Sequence, residues 1–507
     1  MASKIFMGDM PELMDNILNN LNEDIHSLHS CALVSRFWSK MSIPILWSDP
    51  FSLSRKSSFI PIYLSSLNEH DIFILNECGI VVDFPNTLFN YAIFLKVMDL
   101  FVLDCLVEDW IELSNINLHK DSKIVKYELA NLLFKLFIER GATLSKFDLR
   151  MSSDSDEETF DIKPEIFYLL GRNGTFFSQL QDLSVFIKIK PCPQNAITLL
   201  KILIDNAKKI NKLKFTEFDY DPQLFHTFSC VIKSQEQLKW FSLVASFGLI
   251  ISALRCQQNS LREVRMESCD CSNKDFDELM NCKNLEVIRT YHCRNVDRLL
   301  NRLGNSLHKI NTLDICSYSI DASNIIQLLQ KSGSLLKRLR ISSDSKEIIS
   351  LPLLLETLIS SCPNIVYLQF SSMKLSTQFL NLICGLQKLQ FLTFSWIDDG
   401  SEEEMKACVM RFAEILPLSL NYLNLSNSWN NSSSHIDVFL NYCNAPLKKL
   451  LLKINDDEKI VEALIGFNIR KKTLNMVYLR DFNSRFRFYL EKYVKLVPFI
   501  HIYVDCC

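Results

Sequence analysis

Residues 361–370 read Ser361-Cys-Pro-Asn-Ile-Val-Tyr-Leu-Gln-Phe370, and they decide the fold. A polar turn containing proline gives way to apolar residues at Ile365, Leu368 and Phe370. The last of these alternate, as in a strand buried on one side. The same template, apolar-x-x-apolar-x-apolar, starts at Leu144, Leu180, Ile210, Leu238, Leu261, Ile310, Leu336, Leu389, Leu420, Leu447 and Leu474, and last at Phe499/Ile502/Val504. Leu285/Ile288 fits with Thr290 as an imperfect third position. From Leu238 onward the starts step by 23 to 31 residues. Helical patterns lie between them at Phe276–Met280, Asn324–Leu329, Leu353–Ile359, Glu402–Leu416 and Ile436–Tyr442. Each unit therefore reads as a strand followed by a helix. One such unit cannot bury its own apolar face, so neighbours must stack to build a shared core.

Repeats of ~20–29 residues with this pattern are the signature of leucine-rich repeats. These units resemble the longer, cysteine-containing class. The resemblance implies an α/β fold, a leucine-rich-repeat solenoid (horseshoe) of about 14 units over residues 142–507. In such a stack alternate strand residues face outward. Here they include Trp240, Arg265, Arg289, Tyr291, Arg338, Arg340, Tyr367, Phe391, Tyr422 and Tyr478. Tyr, Trp and Arg are the residue types that anchor protein interfaces.

Residues 52–141 do not follow the repeat. Apolar stretches at Phe94–Trp110 and Val125–Arg140 read as helices of a linker that caps the first unit. Ser152–Asp161, with Asp154, Asp156, Glu157 and Glu158, reads as a solvated acidic insertion.

Residues 1–51 form a third pattern. Pro11 suits a first helical turn, with Asp9 as N-cap and Glu12 beside the positive end of the helix dipole. Leu13, Ile17 and Leu21 share one face with Met14 and Leu18 alongside. Asp24 can cap a second helix bearing Ile25, Leu28, Cys31, Ala32 and Val34. A third, around Ser35–Met41, presents Phe37 and Trp38, and Pro44 is expected to end it. Three elements then stand in order: Met10-Pro11-Glu12-Leu13, Leu28-His-Ser-Cys-Ala-Leu-Val-Ser-Arg-Phe-Trp38, and Pro44-Ile-Leu-Trp47. Together they resemble an F-box. Met10 stands where the family has Leu and Ser35 where it has a second Cys. The resemblance implies binding to a Skp-type adaptor through Pro11, Leu13, Ile17, Leu18, Leu28, Cys31, Val34, Trp38, Pro44 and Leu46, with Trp47 anchoring the module to the linker.

Composition narrows the remaining classes. The chain has 507 residues and a net charge of −3, with no clustered basic surface for nucleic acid. Arg470-Lys471-Lys472 is too short to supply one. Met1–Met10 lacks the apolar stretch of a secretory signal, so the 17 cysteines are expected as reduced thiols in the cytoplasm or nucleus. The longest uncharged apolar run, Trp240–Leu254, is shorter than the ~18 residues of a membrane span. Neither a phosphate-binding glycine loop nor a His-Glu-x-x-His motif is present. Cys269, Cys271, Cys282 and Cys293 lack the paired spacing of a zinc site, so no metal and no cofactor are expected.

The two resemblances together imply a non-catalytic adaptor. The F-box would engage a Skp-type adaptor and, through it, a cullin scaffold, while the repeats hold an unidentified target protein for ubiquitination. The alternatives are a leucine-rich-repeat scaffold acting outside a ligase, and an enzyme whose site has no sequence signature.

Overall fold

One strand per repeat, laid parallel to the strand of the next repeat, organises the chain. The computed structural model describes residues 11–22, 24–52, 57–81, 87–114, 118–152, 161–188, 194–216, 221–244, 249–304, 309–318, 320–343, 348–396, 401–425, 434–453, 458–480 and 490–498. They fall into two units, Met1–Ala245 and Ser246–Cys507. Each carries a leucine-rich-repeat solenoid.

In the first unit the strands are β1 (Val97–Asp99), β2 (Lys146–Ser152), β3 (Asp182–Lys188), β4 (Lys212–Thr216) and β5 (Trp240–Val244), paired in chain order and all parallel. Parallel register lines up equivalent side chains. Met98, Phe147, Leu183, Leu213 and Phe241 form one buried row across the five strands. In the second unit β6 (Glu263–Glu267), β7 (Val287–Tyr291) and β8 (Thr312–Ser317) are followed by β9 (Ile320–Asp321), β10 (Arg338–Ser343) and β11 (Ile348–Ile349). Then come β12 (Tyr367–Met373), β13 (Phe391–Trp396), β14 (Tyr422–Asn424), β15 (Lys449–Lys453), β16 (Met476–Arg480) and β17 (Lys495–Pro498). The main sheet runs in chain order, while β9 and β11 pair separately. Its buried row is Leu313, Leu339, Leu368, Leu392, Leu423, Leu450 and Val477.

A recurring backbone clamp sets this register. The carbonyl just ahead of a strand accepts two N–H groups from the next repeat. Lys96 O receives Ser145 N at 2.8 Å and Lys146 N at 3.1 Å, and Asn311 O receives Lys337 N at 2.8 Å and Arg338 N at 3.0 Å. Val366, Gln390, Asn421 and Lys448 repeat the pattern. Between strands, helices such as Ser323–Ser332, Leu351–Ser361, Glu402–Ile415 and Ser434–Tyr442 occupy the expected stretches. The first expected helix is instead a tighter 3₁₀ segment, Lys274–Asn281.

Three expectations are corrected. Phe94–Trp110 is not one helix. It splits into a 3₁₀ turn, β1 and the helix Leu100–Leu113, which Asp99 caps through the Phe101 and Val102 amides. Leu95, Met98 and Leu100 match the repeat template and are buried, so the repeats begin within residues 52–141. Pro44 does not end its helix. The helix runs Arg36–Leu46, because a proline two residues from the end forfeits a single bond while Trp47 N still closes on Ile43 O at 3.0 Å. Phe499/Ile502/Val504 lies outside the described residues, and the strand paired with β16 is β17, at Lys495–Pro498. An apolar run this long does not fix its own register. Asp9 and most of the acidic insertion also lie outside the described residues.

Stacked rows make each buried leucine a contact between neighbouring repeats. Leu368→Ala should lower the stability of the Ser246–Cys507 unit by about 2–5 kcal/mol, read by urea unfolding of the full chain. A loss below about 1 kcal/mol would contradict the shared core.

Candidate functional site

The N-terminal module is built from α1 (Pro11–Asn19), α2 (Ile25–Ala32) and α3 (Arg36–Leu46). Asp24 caps α2 by accepting from Ser27 N at 3.0 Å, and Ser35 caps α3 by accepting from Trp38 N at 3.3 Å. Met14, Leu18, Leu28 and Leu46 make the core, with Cys31, Trp38 and Met41 packed partly against it. This corrects the expected docking surface. Leu18, Leu28 and Leu46 point inward because three short helices need them for a core of their own. Leu13 is 40% exposed, Ile17 43% and Val34 62%. Cys31, Trp38 and Pro44 are half-buried, and Pro11 opens α1. Leu33, which was not among the expected docking residues, is 75% exposed. Its position at the C-cap of α2, off the helical period, hid it from periodicity.

Trp47 ties the module to the chain behind it. Its ring lies 5.2 Å from that of Tyr63, edge-on, and 4.2 Å from that of Tyr91. Ser48 O accepts from Lys96 N at 2.8 Å and Val97 N at 3.0 Å, which is the repeat clamp one step ahead of β1.

On the exposed strand face of the second unit, the expected target-binding arginines are already engaged. Arg289 Nε meets Glu263 Oε1 at 3.0 Å and its Nη1 meets Asp314 Oδ2 at 2.8 Å, while Arg338 Nε lies 3.3 Å from Asp314 Oδ1. Asp314 is fully buried beneath them. Burial works against the Arg289 charge, but Asp314 and Glu263 outweigh it and hold the guanidinium above its ordinary pKa. Arg265 lies 4.7 Å over Tyr291 and pairs with Glu267, and Arg340 lies 5.6 Å over the same ring. The carboxylates of β6 and β8 share these rows with the arginines, so the cations are held within the sheet. Reading Arg and Tyr alone misses Asp314. Asp314 stands in one register row with Arg265, Arg289 and Arg340, an outward acidic position that the repeat template itself marks.

The other half of that face is different. Arg338, Tyr367, Phe391, Tyr422 and Lys449 stand in one register row. Arg338 lies 3.9 Å over the Tyr367 ring. Ring centroids are 6.3 Å apart between Tyr367 and Phe391 and 5.8 Å between Phe391 and Tyr422. These side chains, with Tyr478, Val366 and Asn421, line a groove of about 730 Å³. Lys337, Arg338, Lys448 and Lys449 edge it, and among the described residues no carboxylate lines it. Tyr478, also lining it, is largely buried.

No family model matches the chain, and no curated protein matches it. Solved structures do. An internalin from Listeria monocytogenes is 14% identical over 67% of this chain and 84% of its own, with a TM-score of 0.34. The Rad7 and Elc1 complex of yeast provides a chain 12% identical over 78% of this one and 92% of its own, with a TM-score of 0.42.

In the first unit Trp240 opens β5, half-buried, in register with Lys212. There too, Asp99 and Asp148 are register partners on β1 and β2. Burial, followed by the Asp99 charge, pushes the Asp148 carboxyl from 3.8 up to about 6. The folded state then holds a proton that the unfolded chain has released. The stability that Asp148 contributes is full below about pH 4 and declines as the pH rises through about 6. Asp148→Asn should remove this decline. Between about pH 4 and 7 the natural chain should lose on the order of 2 kcal/mol more than the variant, measured by urea unfolding. Parallel pH profiles would contradict the assignment.

Proposed function

We propose that the chain is the substrate-recognition subunit of a Skp–cullin–F-box ubiquitin ligase, with no catalytic group of its own, acting in the cytoplasm or nucleus. The N-terminal module would dock a Skp-type adaptor and the strand face would hold a target protein. The catalytic gain is then proximity, because a tethered target lysine meets the ubiquitin-charged enzyme at raised effective concentration.

One observation carries this reading. The module completes its own core with Met14, Leu18, Leu28 and Leu46 and still presents Leu13, Ile17, Leu33 and Val34 to solvent. A solvated capping helix would place polar residues at such positions. Trp47 and Ser48 lock the module to the first repeat, as a recruiting element needs if it is to position a bound target.

Ile17→Glu combined with Val34→Glu puts charge on that surface without touching the core. In calorimetry with a Skp adaptor, the full-length double variant should bind at least about 100-fold more weakly than the natural chain. Its urea midpoint should stay unchanged. An unaltered Kd would remove the module from the interface and leave the repeat scaffold acting outside a ligase.

A further inference from the structure

We propose that the groove over β12–β16 takes an extended acidic segment of a partner protein, with aromatic or apolar side chains spaced along it. This rests on the reading that the strand face holds the target, and it names the chemistry that is held.

The register row supplies the reason. Three rings, Tyr367, Phe391 and Tyr422, stand on consecutive strands with Arg338 at one end and Lys449 at the other. Strands lie ~4.8 Å apart, so the row spans ~19 Å, about the length of six residues of extended chain. Phe391, at its centre, is 39% exposed, an unusual state for a ring flanked by two others. Flat rings offer stacking faces to apolar side chains at modest entropic cost.

Charge selects the occupant. Lys337 and Lys448 stand exposed on the residues ahead of β10 and β15 and line the groove. The carboxylate below β10, Asp314, is shared between Arg338 and Arg289. Among the described residues the lining is thus positive, on a chain whose net charge is −3. An acidic segment meets complementary charge there, and a basic one would be repelled. Single-stranded nucleic acid shares the anionic and stacking chemistry. It favours a basic track longer than this cluster, one of whose cations Asp314 already neutralises.

The test uses the full-length chain and three blocked, fluorescent hexapeptides, alternating Glu/Phe, Lys/Phe and Glu/Gly, with an oligothymidine of similar contour length. Fluorescence anisotropy at low salt should give the Glu/Phe peptide a Kd at least about tenfold below each of the other three probes. Lys337→Glu with Lys448→Glu, and separately Phe391→Ala, should each weaken it about tenfold or more. High salt should weaken it on the natural chain, which keeps the test sound if a variant unfolds. Four outcomes overturn the proposal: equal or tighter binding of the Lys/Phe peptide, no response to charge reversal, preferred binding of the oligothymidine, or a dimer of this chain that the charge reversal dissolves. Adaptor binding is measured on the same samples. Failure of the peptide alone sinks the groove assignment, whereas failure of the adaptor alone sinks the ligase reading.

Discussion

A carbonyl that accepts two amides from the next repeat is the interaction on which the rest depends. It recurs at Lys96, Ser145, Gln181 and Asn211 in one unit and at Asn311, Lys337, Val366, Gln390, Asn421 and Lys448 in the other. Parallel strands have no hairpin to set their alignment, and a slip of one residue would turn every buried leucine outward. The clamp fixes the alignment once per repeat. The buried row Leu313 to Val477 and the exposed row Arg338 to Lys449 are two consequences of the same bonds.

That constraint turns separate residues into surfaces. One residue per repeat decides what each exposed row presents. From β6 to β10 the rows carry both signs of charge and close on themselves through Glu263, Arg289, Asp314 and Arg338. From β12 to β16 they carry rings with cations at the border and leave a groove open. In the first unit the same clamp, at Ser48, fastens the helical module to β1, and Trp47 seals the joint against Tyr63 and Tyr91.

Much of this was legible in the chain itself. The spacing of Ile365, Leu368 and Phe370 recurs so often that strand positions could be read to the residue across most of the repeats. The errors came where two patterns overlap. Leu95, Met98 and Leu100 suit a repeat strand and sit at the head of an apolar helix, so periodicity could not separate them. The helix through Pro44 escaped because a late proline forfeits one bond only. In the module, the expected docking residues mixed core with surface. Leu18 and Leu28 share an apolar character with Ile17 and Val34, and only packing tells them apart. The arginines of the strand face were legible as exposed positions. Their ion pairs were not, because the partners come from neighbouring repeats about 25 residues away.

Recruitment through the N-terminal module is the central claim, and hydrogen exchange on the full-length chain, with and without a Skp adaptor, tests it most directly. The adaptor is predicted to slow exchange in α1 and across the Leu33–Ser35 turn. Exchange in β12–β16 should not change. Protection confined to the strands, with α1 and that turn exchanging as in the free chain, would contradict it.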